Sequence, residues 1–321
     1  MNDKVIKTFI GKSDHLPTRM RSTSGGVFFI LARYVIESKN GVVFGAGFNE
    51  KFEVRHTYVD KTEELFKLQG SKYPQSRISG VYAKIKEFLQ QGRFVLFSGL
   101  PCQIVALRKY LGSDYENLLC VDLICYGVAS PGLWKDYLDV FWANKKIKRI
   151  VFKDKHKSGW KKWNTLIETQ DARYFLHDET NVYMSGYLKG AFMRPSCEYC
   201  RCKGTNRDSD ITLGDAWGKG ETHRLNDNCG LSVILINSEK GSAYFDAIRK
   251  ELAYEEVDFE DYMKGNPYYF ETHKFNEKLL NEFLETKDKN ELRAFKNITI
   301  SSFKSFVKYI IYFIKGTEKI D

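Results

Sequence analysis

Apolar runs followed by helical patterns recur along the middle of the chain. In "RFVLFSGLPCQIVALRKYL", an apolar run at residues 94–97 leads into a Ser-Gly-Leu-Pro turn and then into helical periodicity through Ile104, Leu107 and Leu111. The same succession of strand, turn and helix follows in "NLLCVDLICYGVASPGLWKDYLDVFW". Repeated strand and helix units favour right-handed crossovers and parallel pairing. The sequence therefore predicts an α/β fold with a mixed, mainly parallel sheet and flanking helices.

The rhythm of these patterns changes along the chain and predicts three parts. Residues 1–145 are predicted to form the α/β core, residues 146–300 are predicted to form a second part, and a smaller inserted or C-terminal subdomain is expected beside the core. This second part begins basic and irregular, contains a cysteine-rich loop, and then returns to strands and a helix. Residues 301–321 are predicted to end the chain as an amphipathic helix, because their apolar residues fall on one helical face flanked by lysines.

That terminal helix has two interpretations. Its lysines and apolar face suit peripheral contact with an anionic membrane surface. Amphipathic helices more often pack on their own core or on a second protein, so this second interpretation is favoured.

Composition narrows the class of protein. The chain has 321 residues, of which 43% are hydrophobic and 15% aromatic, as expected of a globular protein with a sizeable core. The N-terminal residues carry charges throughout, without the apolar block of a signal peptide, which predicts a cytoplasmic protein. The formal net charge of +9 suits several anionic partners and does not choose among them.

Seven cysteines in a reducing compartment are expected to be thiols or metal ligands. Cys197, Cys200 and Cys202 lie within six residues, and a metal or cluster normally takes four ligands. Cys102 and Cys125 follow two predicted strands, at the sheet edge where α/β proteins bind ligands. Zinc usually takes paired cysteine knuckles, whereas iron–sulfur clusters accept thiolates from scattered loops. A cluster is therefore favoured over zinc, and a purely structural role for the thiols stays open.

Five motifs in order carry a family resemblance: "RSTSGG", "GSKYPQS", "SGLPCQ", "CYGVASPGLW" and "SCEYC" with "RDSDITLGDAWG". Together they resemble the family of coenzyme F420 hydrogenase/dehydrogenase beta subunits, in particular its bacterial members from polysaccharide biosynthesis. The resemblance implies a flavoprotein with FAD and a 4Fe-4S cluster. Such a protein passes electrons between a deazaflavin or ferredoxin and another acceptor.

The resemblance also implies a set of site residues. It gives Cys102, Cys125, Cys197 and Cys200 as cluster ligands, with Cys202 as a spare thiol or alternative ligand. It assigns the FAD to two segments, made up of Ser22, Thr23, Ser24, Gly25 and Gly26 in the first and Gly70, Ser71, Lys72, Tyr73, Gln75 and Ser76 in the second. Lys72 is expected to act in catalysis by stabilising negative charge on the reduced flavin. Without the resemblance, residues 22–26 fit an ordinary capped helix start better than a phosphate site, and Lys72 fits a solvated loop lysine.

Three departures from the family pattern change these expectations. Many relatives carry an N-terminal domain with two cysteine-rich cluster motifs, which this sequence lacks, so an external ferredoxin or reduced deazaflavin is expected as electron donor. Tyr126 stands where relatives usually have histidine, which weakens any proton transfer there. Leu100 replaces the more usual threonine beside Pro101, which removes a polar contact.

The function expected from the sequence is that of a flavin- and iron–sulfur-dependent oxidoreductase, working with polysaccharide-biosynthesis enzymes. The alternative from another class is a non-catalytic, metal-stabilised scaffold or assembly factor for those enzymes. Nucleic acid is not expected as a partner, because the lysines are dispersed and no reader motif is present.

Overall fold

The computed structural model describes residues 5–177, 181–287, 290, 294, 297–298 and 316–319. The chain divides into two compact units, each assembled from separate segments. Unit 1 comprises Met1–Gly70, Ser76–Tyr126 and Cys200–Thr272, and unit 2 comprises Ser71–Gln75, Gly127–Tyr199 and His273–Asp321.

Unit 1 is built on an eight-stranded sheet. Its strands are β1 (Lys7–Ser13), β2 (Val42–Phe48), β3 (Val54–Val59), β4 (Val95–Gly99), β5 (Leu118–Leu123), β9 (Ile211–Asp215), β10 (Ser232–Ile236) and β11 (Leu252–Glu256). The spatial order is β11-β1-β10-β9-β5-β4-β2-β3. The four neighbouring strands β9, β5, β4 and β2 are parallel, and the strands added at both edges are antiparallel.

Helices cover both faces of this sheet, which explains why its central strands are apolar on both sides. The helices of unit 1 are α1 (Leu16–Arg21), α2 (Val27–Lys39), α3 (Val81–Gln90), α4 (Pro101–Leu111), α7 (Lys219–Thr222), α8 (Glu239–Ile248) and α9 (Phe259–Met263). Val43, Leu96 and Leu119 pack on the side of α2 and α8. Their neighbours Val95 and Phe97 pack on the side of α3 and α4.

Unit 2 has a four-stranded antiparallel sheet in the order β12-β8-β7-β6. Its strands are β6 (Ile147–Asp154), β7 (Asn164–Thr169), β8 (Ala172–Leu176) and β12 (Thr317–Lys319), and its helices are α5 (Pro131–Trp142), α6 (Val182–Leu188) and α10 (Glu277–Lys287). Aromatic rings dominate its interior. Trp134, for example, contacts the rings of Tyr137, Phe152 and Tyr183.

The predicted α/β class, a mixed and mainly parallel sheet with flanking helices, is confirmed. The sequence predicted continuous parts ending at residues 145 and 300, whereas both units are discontinuous in the chain. A linear pattern of apolar residues does not show where the chain returns to an earlier unit.

The predicted C-terminal helix lies mostly outside the described residues. Thr317–Lys319, at its end, form strand β12 against β8 rather than a helix. This part of the prediction is therefore wrong. Over the ranges that the structure describes, no helix combines the length and apolar character needed to cross a membrane.

Candidate functional site

The end of the cysteine-rich loop, just before β9, is attached to strand β5 by a buried ion pair. Arg207 donates from Nη1 to Asp122 Oδ2 at 3.0 Å, and both side chains are 1% exposed. Asp122 also accepts the Thr212 hydroxyl at 2.5 Å, and the Arg207 guanidinium lies 4.3 Å from the centre of the Tyr269 ring. A buried charge pair holds the loop firmly against β5, because removing either partner leaves the other charge buried without compensation.

Lys203 joins the same loop to the segment that follows β5. Its ammonium group donates to the carbonyl oxygen of Cys125 and, at 2.8 Å, to that of Tyr268. Tyr126, next to Cys125, packs its ring edge-on against Tyr268 at 4.5 Å, and burial together with the Tyr268 hydroxyl raises the pKa of Tyr126. Tyr126 is therefore a phenol at neutral pH and does not replace a histidine in proton transfer.

Two thiols of the loop lie side by side. Cys200 and Cys202 are hydrogen-bonded to each other, and burial and then the neighbouring Cys200 raise the pKa of the Cys202 thiol. All seven cysteines are described, and none forms a disulfide. Thiol sulfur is the donor that iron–sulfur clusters and zinc take. Across the described part of the chain, however, no group of three or more His, Cys, Asp or Glu side chains is arranged to hold a metal ion.

Cys102 lies where the sequence places it, in the first turn of α4 directly after strand β4. Pro101 opens the helix, and the Gln103 side chain accepts the Leu100 N–H at 2.9 Å. The Cys102 residue is exposed, and burial followed by the proximity of this thiol raises the pKa of Tyr82 to about 12.

Residues 22–26, predicted as a phosphate cradle, connect α1 to α2. A Cβ on Gly25 would lie 2.4 Å from the Gly11 carbonyl oxygen, so this glycine is required for packing against β1. Gly26 has φ +86° and begins α2, and no described side chain caps that helix. The first turn of α2 thus keeps the backbone donors that suit a phosphate. The predicted hydroxyl cap is absent there, because Ser22 and Ser24 bond instead to the carbonyls of Thr18 and Leu231.

The loop at residues 70–76 begins beside this connector. Gln69 donates to the Ser22 hydroxyl at 3.2 Å, so the two segments that the resemblance assigns to FAD adjoin within unit 1.

The C-terminal end of the loop at residues 70–76 is held by a hydrogen-bond network that the sequence did not reveal. His56, a buried residue on β3, lies 2.8 Å from the Ser76 hydroxyl and 3.0 Å from the Ser98 carbonyl oxygen. Gln103 also donates to Ser76, at 3.0 Å. Because a carbonyl only accepts, His56 donates from Nε2. The alternating pattern of β3 could have marked His56 as facing inward, but no pattern in the sequence points to its partners.

The centre of the loop belongs to unit 2, where a small backbone ladder holds it. Gln75 donates to the Ala129 carbonyl at 2.9 Å, and the Ala129 N–H donates to the Tyr73 carbonyl at 3.0 Å. The Tyr73 ring packs against Phe152 and Tyr187. Between these anchors Lys72 is partly buried, and desolvation at its ammonium group lowers its pKa to about 7.

The same ladder positions Cys197. Arg194 donates from its backbone to Val128, and the Cys197 N–H donates to the Arg194 carbonyl at 2.9 Å. A Cβ added to Gly127, which has φ +142°, would lie 3.5 Å from the Cβ of Cys197. Unit 2 therefore brings the segments of Lys72, Gly127 and Cys197 together, and unit 1 brings together those of Cys125 and Cys200.

Known proteins resemble this chain, and two of them are described below. The F subunit of the F(420)H(2) dehydrogenase of Methanosarcina mazei is 23% identical over 205 residues, which are 64% of this chain and 52% of that protein. The chain thus spans about half the length of this relative. A chain in the solved F420-reducing [NiFe] hydrogenase complex from Methanosarcina barkeri has a TM-score of 0.56 and 16% identity, covering 90% of this chain and 93% of its own length. At this identity the likeness shows a shared fold.

The family comparison covers the cysteine-containing part of the site. The matching family model describes the C terminus of the coenzyme F420 hydrogenase/dehydrogenase beta subunit, and it matches residues 92–262. This range is just over half of the chain, and it runs from strand β4 through the cysteine-rich loop to helix α9. It also includes all five cysteines considered as ligands. The chain therefore belongs to the family of coenzyme F420 hydrogenase/dehydrogenase beta subunits.

Proposed function

We propose that this protein is a flavin- and iron–sulfur-dependent oxidoreductase. In this function it passes electrons between a reduced deazaflavin or ferredoxin donor and an acceptor. The observation that carries the proposal is the attachment of the cysteine-rich loop to β5 through the Asp122–Arg207 pair and to the Cys125 carbonyl after β5 through Lys203. Membership of a family of redox-complex subunits supports the same class of chemistry.

FAD would be held by the two adjoining segments, residues 22–26 and 70–76. The uncapped start of α2 offers backbone N–H donors and the positive end of a helix dipole, which suit a diphosphate. Gly70 has φ +77°, and a Cβ there would meet only the Arg21 carbonyl oxygen, at 3.9 Å, so a bound group could approach the loop backbone. Bound FAD would supply the interconversion of two-electron and one-electron chemistry.

Lys72 would serve that flavin as an electrostatic partner. Because desolvation lowers the pKa of Lys72 to about 7, its amine can gain or lose a proton near neutral pH before any anion is bound. A negative charge beside Nζ raises the pKa of the amine and fixes the proton there. The lysine can therefore stabilise charge on the reduced ring and release a proton when the charge is removed.

The cluster would be held by Cys102, Cys125, Cys197 and Cys200, with Cys202 as the alternative to Cys200. The ligand set rests on the family resemblance, and the thiol chemistry of these residues agrees with it. Tight contact between Cys200 and Cys202 supports Cys202 as a substitute ligand.

The partners follow from the same proposal. The electron donor would be an external ferredoxin or a reduced deazaflavin, and the acceptor would belong to surface-polysaccharide biosynthesis. The Methanosarcina mazei relative is one subunit of an F(420)H(2) dehydrogenase, which supports assembly with other proteins.

Anaerobic purification of cysteine variants tests this function. We expect Cys125→Ser and Cys197→Ser each to lose iron and acid-labile sulfide while keeping flavin and the native circular dichroism spectrum. Cys229→Ser, which changes a cysteine outside the proposed set, is the matched control and keeps both. Stoichiometric zinc without flavin in the wild-type protein would instead support the metal-stabilised scaffold.

A further inference from the structure

Two thiols of unit 1 are placed to react with each other. Cys200 and Cys202 are separated by one residue, and their side chains are hydrogen-bonded to each other. Both residues are half-buried, and Arg201 between them is exposed, so the segment is open to solvent. Two thiols in contact and open to solvent are the reactants of a dithiol–disulfide couple.

The local backbone suits a bond between these two sulfurs. Two residues of chain span at most about 7 Å, and the Cα atoms of disulfide-bonded cysteines lie about 4.4–6.8 Å apart. The chain bends at Arg201, and the contact between the thiols shows that the two side chains turn towards each other. Closing the bond therefore needs little movement of the backbone.

Hydrogen bonds on the C-terminal side of the pair hold this segment in place. The Lys203 ammonium group donates to the carbonyl oxygens of Cys125 and Tyr268. The Gly204 N–H donates to the Tyr269 carbonyl oxygen at 2.7 Å. A segment held in this way keeps the two thiols together, which raises the effective concentration of each thiol for the other.

We propose that Cys200 and Cys202 form a reversible dithiol–disulfide site whose substrates are small disulfides of the glutathione type. The thiolate of one cysteine attacks a sulfur of the small disulfide, forms a mixed disulfide and releases one small thiol. The second cysteine attacks the protein sulfur of the mixed disulfide, forms the S–S bond and releases the second small thiol. Two protein thiols are thereby oxidised, one small disulfide is reduced, and the two protons pass to the thiols released.

This chemistry is separate from the proposed function. It needs neither flavin nor iron, and it is open to the chain whenever Cys200 does not bind a metal. Disulfides that form in reducing compartments are usually transient and redox-sensing, and a sensing cysteine often has a second cysteine beside it that resolves the first adduct. The pair would let the protein respond to the balance of thiols and disulfides around it.

Peptide mapping of the full-length protein tests the site. The protein is purified with a chelator, equilibrated with reduced and oxidised glutathione, quenched with acid, alkylated and digested with trypsin. Because trypsin cleaves after Arg201, the two cysteines fall on separate peptides that only a disulfide joins. We expect the joined peptides to exceed the glutathione adducts of the same peptides by about tenfold, and dithiothreitol to separate them.

Cysteine variants assign the bond. The joined peptides should vanish in Cys200→Ser and in Cys202→Ser, where the remaining cysteine should carry glutathione instead. They should persist in Cys197→Ser, which matters because Cys197 lies on the same tryptic peptide as Cys200. Cys229→Ser is the matched control and should leave the yield unchanged. Joined peptides in Cys200→Ser, or their loss in Cys197→Ser, would overturn the assignment.

Neighbouring cysteines also pair in an unfolded chain, so the contribution of the fold needs its own measurement. The same equilibration in urea gives the pairing that closeness in sequence alone provides. The equilibrium constant for disulfide formation against glutathione should be about tenfold or more higher in the folded protein, because the fold holds the thiols in contact.

Two outcomes would overturn the inference. Equal equilibrium constants in the folded and unfolded chain would show that the fold builds no site from the two thiols. Glutathione adducts without joined peptides in the wild-type protein would show that the second cysteine does not resolve the first adduct. Neither outcome changes the flavin, iron and sulfide content on which the proposed function is tested, so the two can fail separately.

Discussion

The two units hold their parts of the candidate site by different means. In unit 1, the cysteine-rich loop is held to β5 by side-chain charge, through Arg207, Asp122 and Lys203. In unit 2, the Lys72 loop is held by backbone hydrogen bonds to Ala129 and by aromatic packing of Tyr73. Buried charge gives a geometry that fails when one partner is removed, whereas a backbone ladder tolerates side-chain changes. Unit 1 should therefore be the more sensitive to substitution.

The largest expected effect is in unit 1. Arg207→Met leaves the Asp122 carboxylate buried without its partner, which should lower the free energy of unfolding by about 3–5 kcal/mol. Urea unfolding followed by circular dichroism measures this loss. Arg224→Met is the matched control, because its ion pair with Glu255 is exposed and its loss should change the free energy of unfolding far less than Arg207→Met does. Equal losses of unfolding free energy in the two variants would show that the buried ion pair does not stabilise the cysteine-rich loop.

The next effect is the pH dependence that Lys72 gives to unit 2. With a folded pKa of about 7 and an unfolded value of 10.5, the unfolded state binds more protons between these limits, so folding stability rises with pH there. Lys72→Met abolishes this slope. At pH 7 the free energy of unfolding should be higher for Lys72→Met than for the flavin-free wild-type protein. We expect this difference to shrink by about 2–4 kcal/mol from pH 7 to pH 10.

Urea titrations at several pH values measure this change in advantage. Lys51→Met, which alters an exposed lysine, is the control and should follow the wild-type slope. A constant difference between Lys72→Met and the wild-type protein across the window would mean that the Lys72 ammonium is fully solvated.

The smallest expected effect comes from a single hydrogen bond in unit 2. Tyr187→Phe removes the hydrogen bond to the Gly127 carbonyl, 2.9 Å long, but leaves the aromatic ring and the backbone ladder in place. The loss should be about 1 kcal/mol, as measured by thermal unfolding. A loss as large as that of Arg207→Met would show that unit 2 also depends on single side chains.

The sequence predicted the fold class well because its central strands carry strong local signals. Apolar runs before a turn and a helical period, as around Cys102, indicate strand and helix without knowledge of the rest of the chain. The antiparallel edge strands and the return of residues 71–75 to unit 2 depend on contacts far apart in sequence. No local pattern encodes such contacts.

The candidate site was predictable in its residue types and less so in what supports them. The cysteine spacing pointed to the loop at residues 197–202, yet Asp122 and Arg207 gave no signal, because a lone charged residue in a sequence usually lies on the surface. Gly25, in contrast, stood out in the sequence, but its packing role did not. The family resemblance assigns Gly25 to FAD binding, and the structure adds that its missing Cβ allows close packing against β1.

The central claim is that this chain itself carries both redox groups. Electron paramagnetic resonance of the anaerobically purified, dithionite-reduced wild-type protein, combined with flavin, iron and sulfide analysis of the same sample, tests it most directly. The account predicts the signal of a reduced 4Fe-4S cluster, iron and sulfide in equal amounts, and bound flavin. A sample without a cluster signal, containing zinc or no metal and lacking flavin, would contradict it.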